Sequence, residues 1–389
     1  MYSEQALEQF RQTVVTPWHH ASLLSMDREY RAKREQWAAD FIEHFQQFCR
    51  KILDRQQAKD KEAIGYITYS LLRTGLTDGH PAYLAEAFDE RWFFDRQPVQ
   101  EEYDPQWAFQ SLEGLESRWE PDARKYAGKI PRPLLERLRL EEAIHFHSYV
   151  SELIRYAMPQ AVLLPEYQAL ARTSVFEVRV GEYMDHSITV YKEDRRGLSS
   201  SVVREWLDAK LEGEYAYQAI EEVDLSGIIN PGLDFRYTAF RACNLSTAKL
   251  SFSMMVGTHW RGCLLEETDL SFSALQGADF RGCRLPQAIC TGISAGWPTE
   301  EQTEWIMPGL AGVCFAETDL HRADFRHADL RGADFTAANL RDADFTGADL
   351  RGANFAGANL TGAVLEAANL AGASLPEGPW NVLLREAGR

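Results

Sequence analysis

The stretch ADFRHADLRGADFTAANLRDADFTGADLRGANF, residues 323–355, decides the fold of the C-terminal half. Every residue in it whose number is divisible by five is Phe or Leu, and the residue two places before each is Ala. A period of five matches neither the 3.6 of a helix nor the 2 of a strand, so a repeat architecture is considered first. Working outward, the large apolar positions continue through Leu360, Leu365, Leu370 and Leu375, and back through Leu320 and Phe315. An earlier run at the same spacing extends from Phe235 through Trp260 to Leu285.

The pattern resembles the pentapeptide-repeat family, A(D/N)LXX, over about residues 221–375. The resemblance implies a right-handed, four-sided β-helix with four pentapeptides in each coil, interrupted at residues 291–310. With twenty residues to a coil, the near-identical RACNL, RGCLL and RGCRL at 241–245, 261–265 and 281–285 stack in columns. Arg241, Arg261 and Arg281 then lie above one another at about the 4.8 Å spacing of neighbouring strands. Phe240, Trp260 and Phe280 form an inward stack. Cys243, Cys263 and Cys283 line up without nearby His, so they read as small apolar filler rather than a zinc site. The arginines face outward, either as a solvated ladder or as a docking strip for an acidic partner. Arg331 and Arg351 share a side with Asp329 and Asp349, and that second ladder neutralises itself.

Residues 291–310, TGISAGWPTEEQTEWIMPGL, break the small–large alternation while keeping the twenty-residue phase. They form either an irregular coil or an excursion that returns to the same side. Trp297 and Trp305 are binding anchors if exposed, or a cover over the solenoid if folded down. Residues 376–389 carry Trp380, Val382, Leu383 and Leu384 and read as a C-terminal capping helix. The likeness to gyrase-protecting members of the family implies a homodimer through this helix.

Residues 1–220 read as a mostly α-helical domain, and no family is recognised there. Tyr30, Trp37, Phe41, Phe45, Phe48 and Ile52 place a long amphipathic helix over about 26–58, and Ile64, Ile67 and Leu71 a second. Residues 133–157 make a third. VFEVRVGEYMDHSITVYKED, residues 175–194, reads as a β-hairpin, and a serine-capped helix from Ser199 leads into the solenoid. Glu142-x-x-His145 is half of a carboxylate di-iron pattern. Its second copy is missing from residues 1–220, leaving Asp40 and His44 as the other candidate ligands and an ordinary polar stripe as the simpler reading. Trp18-His19-His20 is a loop signal that falls short of a catalytic motif. His147 reads as a satisfied core histidine. No Walker loop, dinucleotide fingerprint or G-x-S-x-G elbow occurs, and no cofactor is called for.

A chain of 389 residues accommodates two such domains, and 45% hydrophobic with 25% charged residues excludes a disordered or fibrous class. A net charge of −17 argues against direct nucleic-acid binding, which needs surplus Lys and Arg. No apolar run spans a bilayer, and the start, MYSEQALEQFRQ, lacks the apolar segment of a signal peptide, so a cytoplasmic location and no membrane partner are expected. A rigid rod without an obvious pocket favours a scaffold that binds a protein or peptide. Two alternatives stand beside it. The resemblance implies a DNA-mimicking protector of a type II topoisomerase such as gyrase, although residues 221–389 hold 22 acidic against 13 basic residues and arginine ladders interrupt the acidic surface. The helical domain is otherwise the place for an enzyme or peptide-modifying activity.

Overall fold

Six large apolar residues, from Tyr30 to Ile52, recur at sevens, fours and threes, and a helix collects all six on one buried stripe. This helix, α2 (Thr16–Gln57), follows α1 (Glu4–Phe10) and a π-helical turn (Arg11–Val15). It begins ahead of the expected residue 26 because Pro17 fits a first turn, where its missing N–H is no loss. The computed structural model describes residues 4–77, 79–112, 114–297 and 311–376. The chain divides into two units at Glu193/Asp194.

In the N-terminal unit the expected second helix is a strand. Ile64, Ile67 and Leu71 lie on β1 (Ile64–Leu72), whose intervening Tyr66, Thr68 and Tyr69 are strand formers. The strand is buried on both faces, so the alternation that would have marked it is erased. After α3 (Arg73–Thr77) come β2 (Ala82–Asp89), β3 (Val99–Tyr103), α4 (Gln106–Phe109), α5 (Leu115–Arg124), α6 (Arg132–Ala161) and α7 (Pro165–Ala169). β4 (Arg172–Glu182) and β5 (Ser187–Asp194) are the expected hairpin, but they belong to a five-stranded sheet of order β3-β2-β1-β4-β5. β1 runs antiparallel to β2 and parallel to β4. Helix α6 packs along α2, and Phe41, Phe45, Phe146 and Leu153 join Tyr69 and Val178 of the sheet in one core. The unit therefore combines the expected long helices with a sheet of which only the last two strands were legible.

The second unit starts earlier than the expected boundary at 220/221. Helix α8 (Ser200–Asp208), capped by Ser199, contributes Val203 and Leu207 to the solenoid's own core. The coils follow as the parallel strands β6 (Ala219–Glu221), β7 (Ala239–Arg241) and β8 (His259–Arg261), and then as single bridges twenty residues apart, such as Asp224 to Asn244 and Asn244 to Leu264. Neighbouring coils exchange backbone hydrogen bonds: Leu264 N–H donates to Cys243 O at 2.9 Å and Leu245 N–H to Leu264 O at 2.7 Å. The central residues and the alanines two before them point inward, and Leu340, Ala343, Phe345 and Leu350 are fully buried.

The ladder does not keep its twenty-residue phase across the interruption. Asp279 pairs with Cys314 and Arg284 with Asp319, a step of 35 residues. The chain leaves the ladder at Trp297, whose N–H donates to Arg331 O, and rejoins it at Ala311, whose carbonyl accepts from Gly277. The fifteen residues stepped over are a multiple of five, so small and large residues stay in phase and each column continues at a residue 35, rather than 20, further along. Trp305 and the expected C-terminal helix at 376–389 lie outside the described residues, apart from Pro376.

Candidate functional site

The residue before each central one is usually Asp or Asn, for a structural reason. Its side-chain oxygen accepts the backbone N–H two residues on, at 3.1 Å for Asp234, 3.0 Å for Asp324 and 3.1 Å for Asn354. At four places where that second residue is Arg, its guanidinium closes on the same carboxylate. Arg236, Arg326, Arg331 and Arg351 do so at 2.7, 2.6, 2.8 and 2.8 Å. Burial alone would raise the carboxyls of Asp324 and Asp349, but the hydrogen bonds from Arg326 and Arg351 outweigh it and hold both below the usual range. These acids are thus charged, locally paired and engaged in holding turns.

The arginine column forms as the spacing predicts, with Arg241 opposite Arg261 in register. Each member has an acceptor. Arg241 is ion-paired with Glu221, Arg261 reaches Asp279 at 2.8 Å, and Arg281 lies 3.6 Å from the Cys314 thiol while its backbone N–H donates to Asp279. Interleaved acids relieve the repulsion that a bare ladder would carry. Inside the same wall, Phe240, Trp260, Phe280 and Phe315 stack at 4.0, 5.1 and 5.2 Å. Cys243, Cys263 and Cys283 are buried free thiols; Cys243 points at Ile220 O.

The exposed apolar surface lies elsewhere. Phe252 and Phe272 occupy consecutive turns of the ladder, are 64% and 56% exposed, and stack nearly parallel at 5.2 Å. The next residue in their column is Gly292, where an added Cβ would meet the Phe272 ring at 2.6 Å. Its hydrogen side chain and its φ of +63° together let the ring lie flat on the following coil. Met254 and Ile289 are exposed nearby in sequence and register. The signal was present in the sequence: an aromatic residue stands at a turn position usually filled by small or polar residues. Trp297, a candidate anchor if exposed, is buried instead. A cavity of about 680 Å³ lies at the start of the solenoid, lined by Arg196, Leu198, Val202, Trp206, Ile220 and Glu221 among others.

In the N-terminal unit, Glu142 and His145 share one face of α6 as their spacing predicts, but Asp40 and His44 do not complete their set. His19 of α2 does, with Nε2 at 3.1 Å from Glu142 Oε2, while His145 Nδ1 lies 3.6 Å from the same oxygen. His44 stands 25 residues further along the helix, about 37 Å away at 1.5 Å per residue. It packs among the rings of Phe41, Phe48, Tyr69 and Tyr103. His147 is satisfied, with Nδ1 at 2.6 Å from the Tyr83 hydroxyl. Nothing in local spacing could reveal His19, because it meets Glu142 only through the packing of α2 on α6.

The family model described as "Pentapeptide repeat region" matches residues 301–375, and that described as "Pentapeptide repeats (8 copies)" matches 243–282. No curated protein matches the chain. Among solved structures, the chain is similar to QnrB1, a plasmid-mediated fluoroquinolone resistance protein, at 23% identity over 44% of this chain and 91% of that one, with a TM-score of 0.26. It is similar to HetL, involved in heterocyst differentiation regulation in the cyanobacterium Nostoc, at 21% identity over 46% and 96%, with a TM-score of 0.20. A pentapeptide repeat protein of the Arabidopsis thaliana thylakoid lumen matches at 21% over 38% and 68%, with a TM-score of 0.13. By these two family-model matches, and in the described residues by the five-residue period and the ladder of coils, residues 243–282 and 301–375 of this chain are pentapeptide repeats.

Proposed function

We propose that this protein is a non-catalytic binding scaffold whose solenoid, a right-handed four-sided β-helix, presents a fixed surface to a protein or peptide partner. The stacked, exposed pair Phe252 and Phe272 carries the reading. Two rings held rigidly against their own coils offer apolar area with little side-chain entropy left to lose on binding. The surrounding Asp–Arg pairs already satisfy one another and supply a polar rim. Testing uses the full chain and a Phe252→Ser/Phe272→Ser variant, both immobilised to capture partners, with affinities then measured for each purified partner. A partner lost by the variant at unchanged melting temperature supports the scaffold; partners retained equally by both remove this surface from it.

Gyrase protection is the competing function. QnrB1 is a fluoroquinolone resistance protein, yet in this chain the arginine clamps neutralise many of the acids that duplex imitation would need. Supercoiling by purified gyrase in the presence of a fluoroquinolone decides between them: restored activity on adding this protein replaces the scaffold with the protector. Sedimentation of the full chain and of a chain ending at Leu375 tests the homodimer proposed through residues 376–389.

A further inference from the structure

We infer that His19, Glu142 and His145 form a binding site for a divalent transition-metal ion of the zinc class, held between α2 and α6 and independent of the solenoid's binding role. Each of the three side chains offers one ligand atom, and those atoms all lie within 4.8 Å of one another. Zinc–nitrogen and zinc–oxygen bonds of about 2.0–2.2 Å in a tetrahedron set ligand atoms about 3.3–3.5 Å apart. The two separations to Glu142 Oε2, 3.1 Å from His19 and 3.6 Å from His145, straddle that edge length.

The hydrogen bonding of His19 gives the second, independent observation. Its side chain is nine-tenths buried, and neither ring nitrogen has a hydrogen-bond partner. Nε2 approaches the carboxylate closely, but not along a hydrogen bond. Buried imidazoles ordinarily donate to an acceptor or accept from a donor, as His147 does with Tyr83. A lone pair directed at an ion accounts for the geometry of His19 without an aligned N–H···O contact. Protonation of His19 against Glu142 is the rival explanation. An imidazolium there would donate its Nε2–H to Glu142, and the 3.1 Å contact is not aligned for that donation. The neighbouring Arg11 and Arg137 are both occupied by Glu141.

Ligand chemistry narrows the ion. Two imidazoles and one carboxylate suit zinc, iron(II) or cobalt(II), whereas calcium and magnesium prefer all-oxygen sites. Three protein ligands leave a fourth position in a tetrahedron. The His145 side chain, 38% exposed against 10% for His19 and 15% for Glu142, marks the side from which water reaches it.

The test uses the full chain, freed of metal by chelation and titrated with zinc(II) by calorimetry, with cobalt(II) absorption reporting coordination geometry. About one ion per chain is expected, with a rise in melting temperature on zinc addition and visible cobalt bands of tetrahedral intensity. His19→Ala, Glu142→Gln and His145→Ala should each weaken zinc affinity by about 100-fold or more, beyond what loss of a supporting residue costs. Near-ultraviolet circular dichroism of each metal-free variant shows whether it has folded, and a folded variant that keeps wild-type affinity overturns the site. Failure of the wild-type chain to bind zinc or cobalt overturns it equally, while leaving the solenoid's scaffold role untouched.

Discussion

The two units hold themselves together over different distances along the chain. In the solenoid each bridge joins residues one coil apart, as Asn244 is bridged to Asp224 on one side and to Leu264 on the other. In the N-terminal unit β1 pairs with β4 across more than a hundred residues, from Ile64 to Arg172, and α2 packs on α6 across a similar gap. A defect in the first has only nearest neighbours to disturb. One in the second reaches a core to which every element contributes.

The largest expected effect lies in that shared core. Phe45 is fully buried on α2 between Phe41 and Tyr167. Phe45→Ala should cost about 3–5 kcal/mol. Hydrogen exchange on the full chain should then show protection falling across β1, β4 and α6 together; a loss confined to α2 would break the comparison.

Ala343→Leu comes next. Ala343 is fully buried two places before Phe345, which stacks on Phe325 at 5.0 Å, and the coil has no room for a second large side chain there. Overpacking should cost about 1–3 kcal/mol. Exchange should rise in the coils around residues 323–363 and remain unchanged near residue 245. A uniform rise over the whole solenoid would show that the coils unfold as one body instead.

The same contrast governs what the sequence discloses. Residues 323–355 announce their fold because each local contact repeats at the next step, and Arg241, Arg261 and Arg281 could be set in one column from spacing alone. Ile64, Ile67 and Leu71 mislead because a strand covered on both faces loses its alternation, and the first three strands of the sheet went unread. The 35-residue step at the interruption stayed hidden because a multiple of five leaves the small–large phase intact. Glu142 and His145 were legible as a pair one helical turn apart. Their third companion was not, because only tertiary packing brings His19 to them.

Acid should separate the two units as well. Burial lowers the His44 pKa to about 4, so between pH 6.5 and 4 the unfolded chain binds a proton there that the folded one refuses. Stability of the N-terminal unit therefore falls as pH drops through that window, and His44→Gln should flatten the slope. In the solenoid, Asp324 and Asp349 titrate below their ordinary 3.8 once their arginines outweigh burial. Their contribution is complete above pH 3.8 and disappears below it. Melting followed by exchange from pH 7 to 3 should show the N-terminal unit weakening first; the reverse order would contradict these assignments.

The smallest effect tests whether the clamps stabilise the coil or merely decorate it. Arg351 is partly exposed to solvent and pairs with Asp349 at 2.8 Å, so its loss should cost about 1 kcal/mol. Asp349 also accepts the backbone N–H of Arg351, a bond that survives in Arg351→Ala but not in Asp349→Ala. The carboxylate variant should thus be the more damaging of the two, by about the 0.5–1.5 kcal/mol of one net hydrogen bond. Equal effects would mean that the ion pair, rather than the turn, sets the preference for Asp or Asn before each central residue.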